Sequence, residues 1–194
     1  MAEPKTRQRD DVRITLIRYD QEHYEQRQVK RIEECFPIAG ELGVTWVNID
    51  GIHREDIIEK VGKHLGVFSL VVEDIQRKGS RPKLEEFDDY VFGILKMLYF
   101  GKTRNEVIVE QVSCIFGDNY VVTFHESLGD VFESVRERLR SGKCRGRKMG
   151  SDYLAFMLLD AIIDNYFVIL ESIGDRMASL EEEVVEAPTK DTLR

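Results

Sequence analysis

Cysteine is scarce in this 194-residue chain: Cys35, Cys114 and Cys144 are far apart and odd in number. With no CxxC and no Cys/His ligand spacing, they argue against a disulfide framework and against a zinc site. A reducing cytosol is their natural setting. Positive charge is in deficit as well. Lys and Arg total 28 against 36 Asp and Glu, a net charge of −8. That balance speaks against a generic nucleic-acid binder, whose affinity rests on neutralising phosphates, and suits a surface that attracts cations. No nucleophile elbow, P-loop, GxGxxG or HExxH occurs, so no enzymatic activity is expected. A secretory leader is not expected either, because Met1–Asp11 is polar and charged. The longest apolar stretch, Tyr153–Ile163, is interrupted by Asp160 and is too short to span a bilayer.

What is present is an ordinary globular composition, 42% hydrophobic and 33% charged, long enough to bury a core. Val12–Tyr19 alternates as a strand, Glu22–Val29 more weakly, and the β-branched and aromatic Val44–Ile49 is a strand closed by Asp50-Gly51. Arg54–Leu65 has helical spacing with acids in its first turn and a stop at Gly66. Ser69 is placed to cap a short helix. A meander follows, Tyr90–Tyr99, Glu106–Phe116 and Tyr120–His125, turning at Gly101–Asn105 and at Gly117-Asp118-Asn119. The first of these strands is apolar on both faces and needs cover on both sides. Asp130–Arg140 reads as an amphipathic helix, and Ser141–Gly150 as a basic, glycine-punctuated linker. From Ser151 a helical pattern runs to about Glu186, roughly 50 Å at 1.5 Å per residue. Its seam, Phe156, Leu159, Ile163, Tyr166, Leu170, Ile173, Met177, Leu180 and Val184, has heptad spacing. The expected fold is a three-layer α/β/α domain over residues 1–150, a mixed β-sheet covered by helices. A long C-terminal stalk helix would begin at 151 and run through 194, truncated before any membrane region, with Pro188 a possible interruption.

The residues able to carry chemistry are acidic. Glu73 and Asp74 lie behind an apolar helix face, and an unpaired buried charge is prohibitive. They need a basic partner, with Arg77 or Arg81 the nearest candidates, or a hard cation suited to carboxylate oxygens. Asp160 sits among Met157, Leu158, Leu159, Ala161 and Ile162, with Asp164 one turn on, where like charges repel mildly. A paired Arg or Lys would satisfy Asp160; a cation bridging it to the Glu73/Asp74 helix would explain both acidic features together. The histidines, His64 included, lack ligand spacing.

Several strings in fixed order resemble the CorA family of divalent-cation channels from about Thr45 onward. They are Thr45-Trp46-Val47-Asn48-Ile49 with Gly51-Ile52-His53-Arg54, Val72-Glu73-Asp74, Arg81-Pro82-Lys83, and Asp89-Tyr90-Val91-Phe92 with Leu95-Lys96-Met97. Then come Glu110-Gln111-Val112-Ser113, Gly129-Asp130-Val131-Phe132, Val135-Arg136-Glu137-Arg138, and Asp152-Tyr153-Leu154 with Leu159-Asp160-Ala161. The resemblance implies a cytoplasmic regulatory domain of a membrane protein, homopentameric at full length, with membrane attachment through C-terminal spans that this sequence lacks. The fragment itself would be soluble, a monomer or dimer, on the cytoplasmic side of the cell membrane. It implies regulatory Mg²⁺ at subunit interfaces favouring the closed state, held by acids at Asp74, Glu73 and Asp160; Asp164, one turn from Asp160, is counted with them as a candidate ligand. Mg²⁺ would also be the transported ion, with Co²⁺ or Zn²⁺ as alternatives. The family's Gly-Met-Asn pore motif is absent, Gly79-Ser80 stands where relatives often carry His-Gln, and Asn165 where an acid is common. Alternatives are a zinc or cobalt transporter domain and a metal-independent coiled-coil module; a metal-dependent hydrolase would need a base or nucleophile beside the acids.

Overall fold

Alternating apolar residues give the chain two buried sheet faces, and a computed structural model shows how helices cover both. It describes residues 12–40, 43–101, 106–142 and 145–186. The segment Met1–Asp11, most of the Gly101–Asn105 turn, Cys144 and Pro188 lie outside the described residues. The strands are β1 (Arg13–Tyr19), β2 (Tyr24–Val29), β3 (Val44–Asp50), β4 (Lys83–Glu86), β5 (Val91–Phe100), β6 (Val107–Gly117) and β7 (Tyr120–His125). The helices are α1 (Glu55–Leu65), α2 (Ser69–Gln76), α3 (Glu133–Arg140) and α4 (Ser151–Glu186). The sheet order is β2-β1-β3-β7-β6-β5-β4. Among the described residues β3 and β7 pair in parallel, with Asp50 opposite His125, and the other neighbours are antiparallel.

Period-two alternation divides the core. Leu16, Val47, Ile49, Phe92, Ile94, Val122 and Phe124 face α1 and α2, meeting Ile58, Val61, Val71 and Ile75. Ile17, Trp46, Met97 and Val121 face the other way and meet Phe132, Val135, Leu154, Met157, Leu158 and Ile162 of the α3/α4 layer. The architecture is therefore the three-layer α/β/α arrangement with a mixed sheet. α1 and α2 approach so closely at Gly62 that a Cβ there would meet Val72 Cγ2 at 2.6 Å.

Four local expectations differ from what is seen. Phe68, not Ser69, precedes the first turn of α2, and no side chain caps it. α3 begins at Glu133 because Asp130 is used as a hydrogen-bond acceptor, its Oδ1 taking the Phe132 N–H at 2.9 Å. The segment after Pro82 is not only a turn: Lys83–Glu86 pairs with β5 as an edge strand, where a preceding proline is tolerated. Finally, α4 is long and apolar enough by length and composition to cross a membrane, an 18-residue window of it reaching a mean hydropathy of 1.7 despite Asp160. Its apolar residues serve two faces: Leu154, Met157, Leu158, Ala161 and Ile162 are buried against the sheet layer, whereas Phe156, Ile163, Leu170, Ile173, Met177 and Leu180 of the seam are exposed.

Candidate functional site

Val71 and Ile75 anchor α2 on the sheet, and at helical spacing this turns Glu73 and Asp74 toward the flank. Glu73 is exposed; Asp74 is half-buried. The basic partner of Asp74 is Lys83, whose Nζ donates to Asp74 Oδ2 at 2.6 Å and to Glu85 Oε2 at 2.9 Å. Arg77 and Arg81 do not take that role; the β4 strand carries Lys83 back beneath α2 instead. The hydrogen bond to Asp74, then the one to Glu85, raises the Lys83 pKa against the opposing effect of burial. The same ammonium lies 5.3 Å from the centroid of the Phe92 ring.

Gln111 of β6 fixes the end of α2. Its buried side chain accepts the Ser80 N–H at 2.9 Å and donates to the Arg77 carbonyl at 3.0 Å. The helix end and the turn that carry the acids are thus tied to the sheet. Around them lies an open cleft of about 720 Å³, lined by Phe68, Leu70, Phe87 and a ring of charges. The charges are Glu73, Asp74, Glu85 and Glu86 against Arg77 and Lys83, a surplus of two carboxylates. Hard oxygen donors in a negative, water-accessible cleft fit a hydrated Mg²⁺, which keeps several waters and uses one or two carboxylates.

Asp160 and Asp164 are elsewhere. They belong to α4, which packs on the opposite face of the sheet from α2. Asp160 is half-buried and Asp164 exposed, and no ion pair among the described residues holds Asp160. Just beyond, Asn165 Nδ2 donates to the Leu98 carbonyl and the Tyr166 hydroxyl to the Lys96 carbonyl, pinning this turn of α4 to β5. One chain therefore does not gather the four acids. Any ion joining Asp160 to the Glu73/Asp74 helix has to do so between chains.

Among the described residues, the acids and histidine that one chain does gather are Asp50, His125 and Asp130, whose ligand-type atoms lie within 4.8 Å of one another. Sequence reading missed them. Asp50 and His125 end the parallel strands β3 and β7, and Asp130 follows β7. Asn48 joins all three. Its Nδ2 donates to Asp50 Oδ1 at 2.9 Å and Asp130 Oδ2 at 3.3 Å. Carboxylates only accept, so the Asn48 carbonyl must face the other way, where it receives Thr123 Oγ1 at 2.6 Å and His125 Nε2 at 2.8 Å. His125 is consequently the Nε2–H tautomer, and its buried Nδ1 has no partner among the described residues. Trp46 Nε1 completes the chain by donating to Thr123 Oγ1 at 3.0 Å.

Both carboxylates in this cluster are already neutralised. Arg13 Nε binds Asp50 Oδ2 at 2.8 Å, and Arg136 grips both Asp130 oxygens, with Nη1 to Oδ1 at 2.9 Å. Burial pushes the Asp130 carboxyl up, but Arg136, His125 and the Phe132 N–H outweigh it and leave the pKa below the usual aspartate value. Burial lowers the His125 pKa, so the imidazole is neutral at pH 7. Two acids, two guanidiniums and one neutral ring leave no charge for a metal to balance. The cluster is a clasp that ties α3 and the sheet together, not a metal centre.

An α/β/α sheet domain with an extended C-terminal helix and an acidic cleft on one outer layer defines the class. The family profile "CorA-like Mg2+ transporter protein" matches residues 41–194, and the chain belongs to that family. It is 43% identical over 186 residues to the cobalt/magnesium transport protein CorA of Thermotoga maritima, covering 96% of this chain and 53% of that protein. It is 27% identical to the putative metal ion transporter YfjQ of Bacillus subtilis, covering 88% of this chain and 50% of the relative. The chain thus spans about half the length of these curated relatives. In fold it resembles the soluble domain of CorA from Methanocaldococcus jannaschii, with TM-score 0.68 and 16% identity over 92% of this chain and 67% of that one. The ZntB cytoplasmic domain of Vibrio parahaemolyticus gives TM-score 0.64 at 14% identity, over 93% and 67% of the two chains.

Proposed function

We propose that this chain is the cytoplasmic, Mg²⁺-sensing regulatory domain of a CorA-like transporter, in which cation binding between neighbouring subunits favours the closed state. Residues 1–150 form the regulatory domain and 151–194 begin the stalk helix. The observation that carries the reading is the half-buried Asp74 in a cleft with surplus negative charge, on the face of the sheet opposite Asp160. Glu73 and Asp74 of one subunit, with Asp160 and Asp164 of its neighbour, would hold the ion. A bound Mg²⁺ supplies the positive charge that acids meeting across an interface lack. Without it, the carboxylates repel and the packed arrangement loosens; ion binding stabilises the packed state by mass action. The exposed seam of α4 supports association between chains, and a pentamer is the assembly that the family resemblance implies.

The transported ion of the whole protein is Mg²⁺ in this reading, supported by the description of the family and by the magnesium and cobalt of the Thermotoga relative's name. Co²⁺ is the alternative; Zn²⁺ has only fold-level likeness behind it. The test is thermal denaturation and sedimentation of the chain with and without millimolar MgCl₂. Mg²⁺ is expected to raise the melting temperature or promote association, and Asp74→Asn with Asp160→Asn to abolish the effect. Association through the α4 seam that ignores both Mg²⁺ and these substitutions would replace this reading with a metal-independent oligomerisation module.

A further inference from the structure

Resting on that reading, we propose that the Lys83 ammonium is a tethered counter-ion that competes with the divalent cation for Asp74 and so sets the concentration at which the site fills. Three features carry this. First, Nζ sits 2.6 Å from Asp74 Oδ2, in the position a cation facing that oxygen would take. A bound Mg²⁺ takes oxygen at about 2.0–2.1 Å, so an ion on Oδ2 would sit a few ångströms from the ammonium, and the two cations would repel strongly. At Oδ1 a divalent ion would still face the ammonium across a few ångströms of cleft, with strong repulsion. Second, Lys83 has somewhere to go. Its other acceptor, Glu85 Oε2 at 2.9 Å, lies two residues on along the same strand, so the ammonium can release Asp74 and remain paired. Third, the head of the side chain is not sealed in. The ammonium borders the Phe92 ring at 5.3 Å, and the side chain is 31% exposed.

Asp74 is thereby kept satisfied when no metal is bound, which removes the penalty of an unpaired half-buried acid. Metal binding becomes an exchange of one cation for another, and the site responds only when the free divalent ion is concentrated enough to displace an ammonium tethered beside it. Removing the ammonium should lower the threshold, and by more than removing a cleft cation that does not touch Asp74.

The test is titration of the full chain with MgCl₂, followed by the melting temperature and by NMR of the lysine Cε–Nζ groups. Lys83→Met keeps the aliphatic stem and removes the ammonium, and its Mg²⁺ midpoint is expected to fall by about tenfold or more. Arg77→Met makes the same change in cleft charge, but Arg77 forms no ion pair among the described residues, so its midpoint should fall by only about two- to threefold. In the wild type, the Lys83 resonance should shift along the same titration curve. Should Lys83→Met fail to fold, Lys83→Gln gives the same comparison.

Equal shifts for Lys83→Met and Arg77→Met, or a Lys83 resonance that ignores Mg²⁺ while Asp74-dependent stabilisation proceeds, overturns the competition alone. Absence of any Mg²⁺ response in wild type and in Lys83→Met overturns the sensing site as well. A response gained only on removing Lys83 supports both.

Discussion

Substituting His125 by glutamine isolates the proton linkage of the buried clasp. In the folded chain Nε2–H is committed to Asn48 Oδ1, and Nδ1 is buried with no hydrogen-bond partner among the described residues. Protonating Nδ1 would create a buried N–H with nothing to bind. Burial is the largest influence on its pKa and lowers it; Asp130, Asp50 and Glu110 act upward, Arg136 downward, and the net direction is down. The unfolded chain takes up that proton near the ordinary histidine value of 6.5. The stability contributed by neutral His125 is therefore fully present above pH 6.5 and is lost as pH falls toward the folded-state pKa. The slope is up to about 1.4 kcal/mol per pH unit for one proton, so the loss between pH 6.5 and 5 is up to about 2 kcal/mol. His64 contributes in the same direction. Its pKa is lowered by burial, and its Nε2 accepts the Ile38 N–H at 3.2 Å while the ring stacks on Phe36. In His125→Gln the new amide keeps an N–H donor for Asn48 and cannot titrate. Urea unfolding free energies measured at half-unit steps from pH 8 to 5 should show about half the wild-type slope below pH 6.5. A slope equal to wild type would refute the assignment of a buried neutral His125.

Two further substitutions test the packing that presents the site. Phe132 is fully buried and edge-on to both Trp46 and His125, so Phe132→Ala should cost about 3–5 kcal/mol in chemical denaturation; a loss under about 1 kcal/mol would mean the α3 layer is not packed as described. Gly62→Ala forces a methyl into Val72 Cγ2 and should destabilise by about 1–3 kcal/mol through overpacking. A stabilised variant, as helix propensity alone would give, would contradict the close approach of α1 and α2.

The layered fold was legible because its signals are local. The two-sided apolar pattern of β5 required cover on both faces, and it received α2 on one and α4 on the other. The β-branched Val44–Ile49 and the turn at Gly117-Asp118-Asn119 fell where expected. Lys83–Glu86 was not legible as a strand, since four residues with two acids after a proline carry no strand pattern; pairing with β5 supplies the stability that propensity does not. That missed strand explains why Arg77 and Arg81 looked like the partners of Asp74: sequence distance favoured them, and strand reversal favoured Lys83. The Asp50–His125–Asp130 clasp was invisible for a related reason. Asn48 and His125 are 77 residues apart, and only the parallel pairing of β3 with β7 brings their ends together. The α4 seam was legible as a stripe, but spacing could not say that most of the stripe faces outward while Tyr166 turns in to β5 and Leu154, Met157, Leu158 and Ile162 face the sheet.

Placing Glu73 and Asp74 on one outer layer and Asp160 and Asp164 on the other has a consequence for symmetry. If an ion joins the two pairs, the contact is heterologous, since the surface a subunit offers differs from the surface it receives. A two-fold dimer, which buries one and the same patch on both partners, would leave such sites incomplete. Head-to-tail contacts either close into a ring or continue as a filament, depending only on the rotation between neighbours. Each closed ring then holds as many shared sites as subunits, and vacating one site weakens one joint of a circuit instead of detaching a partner.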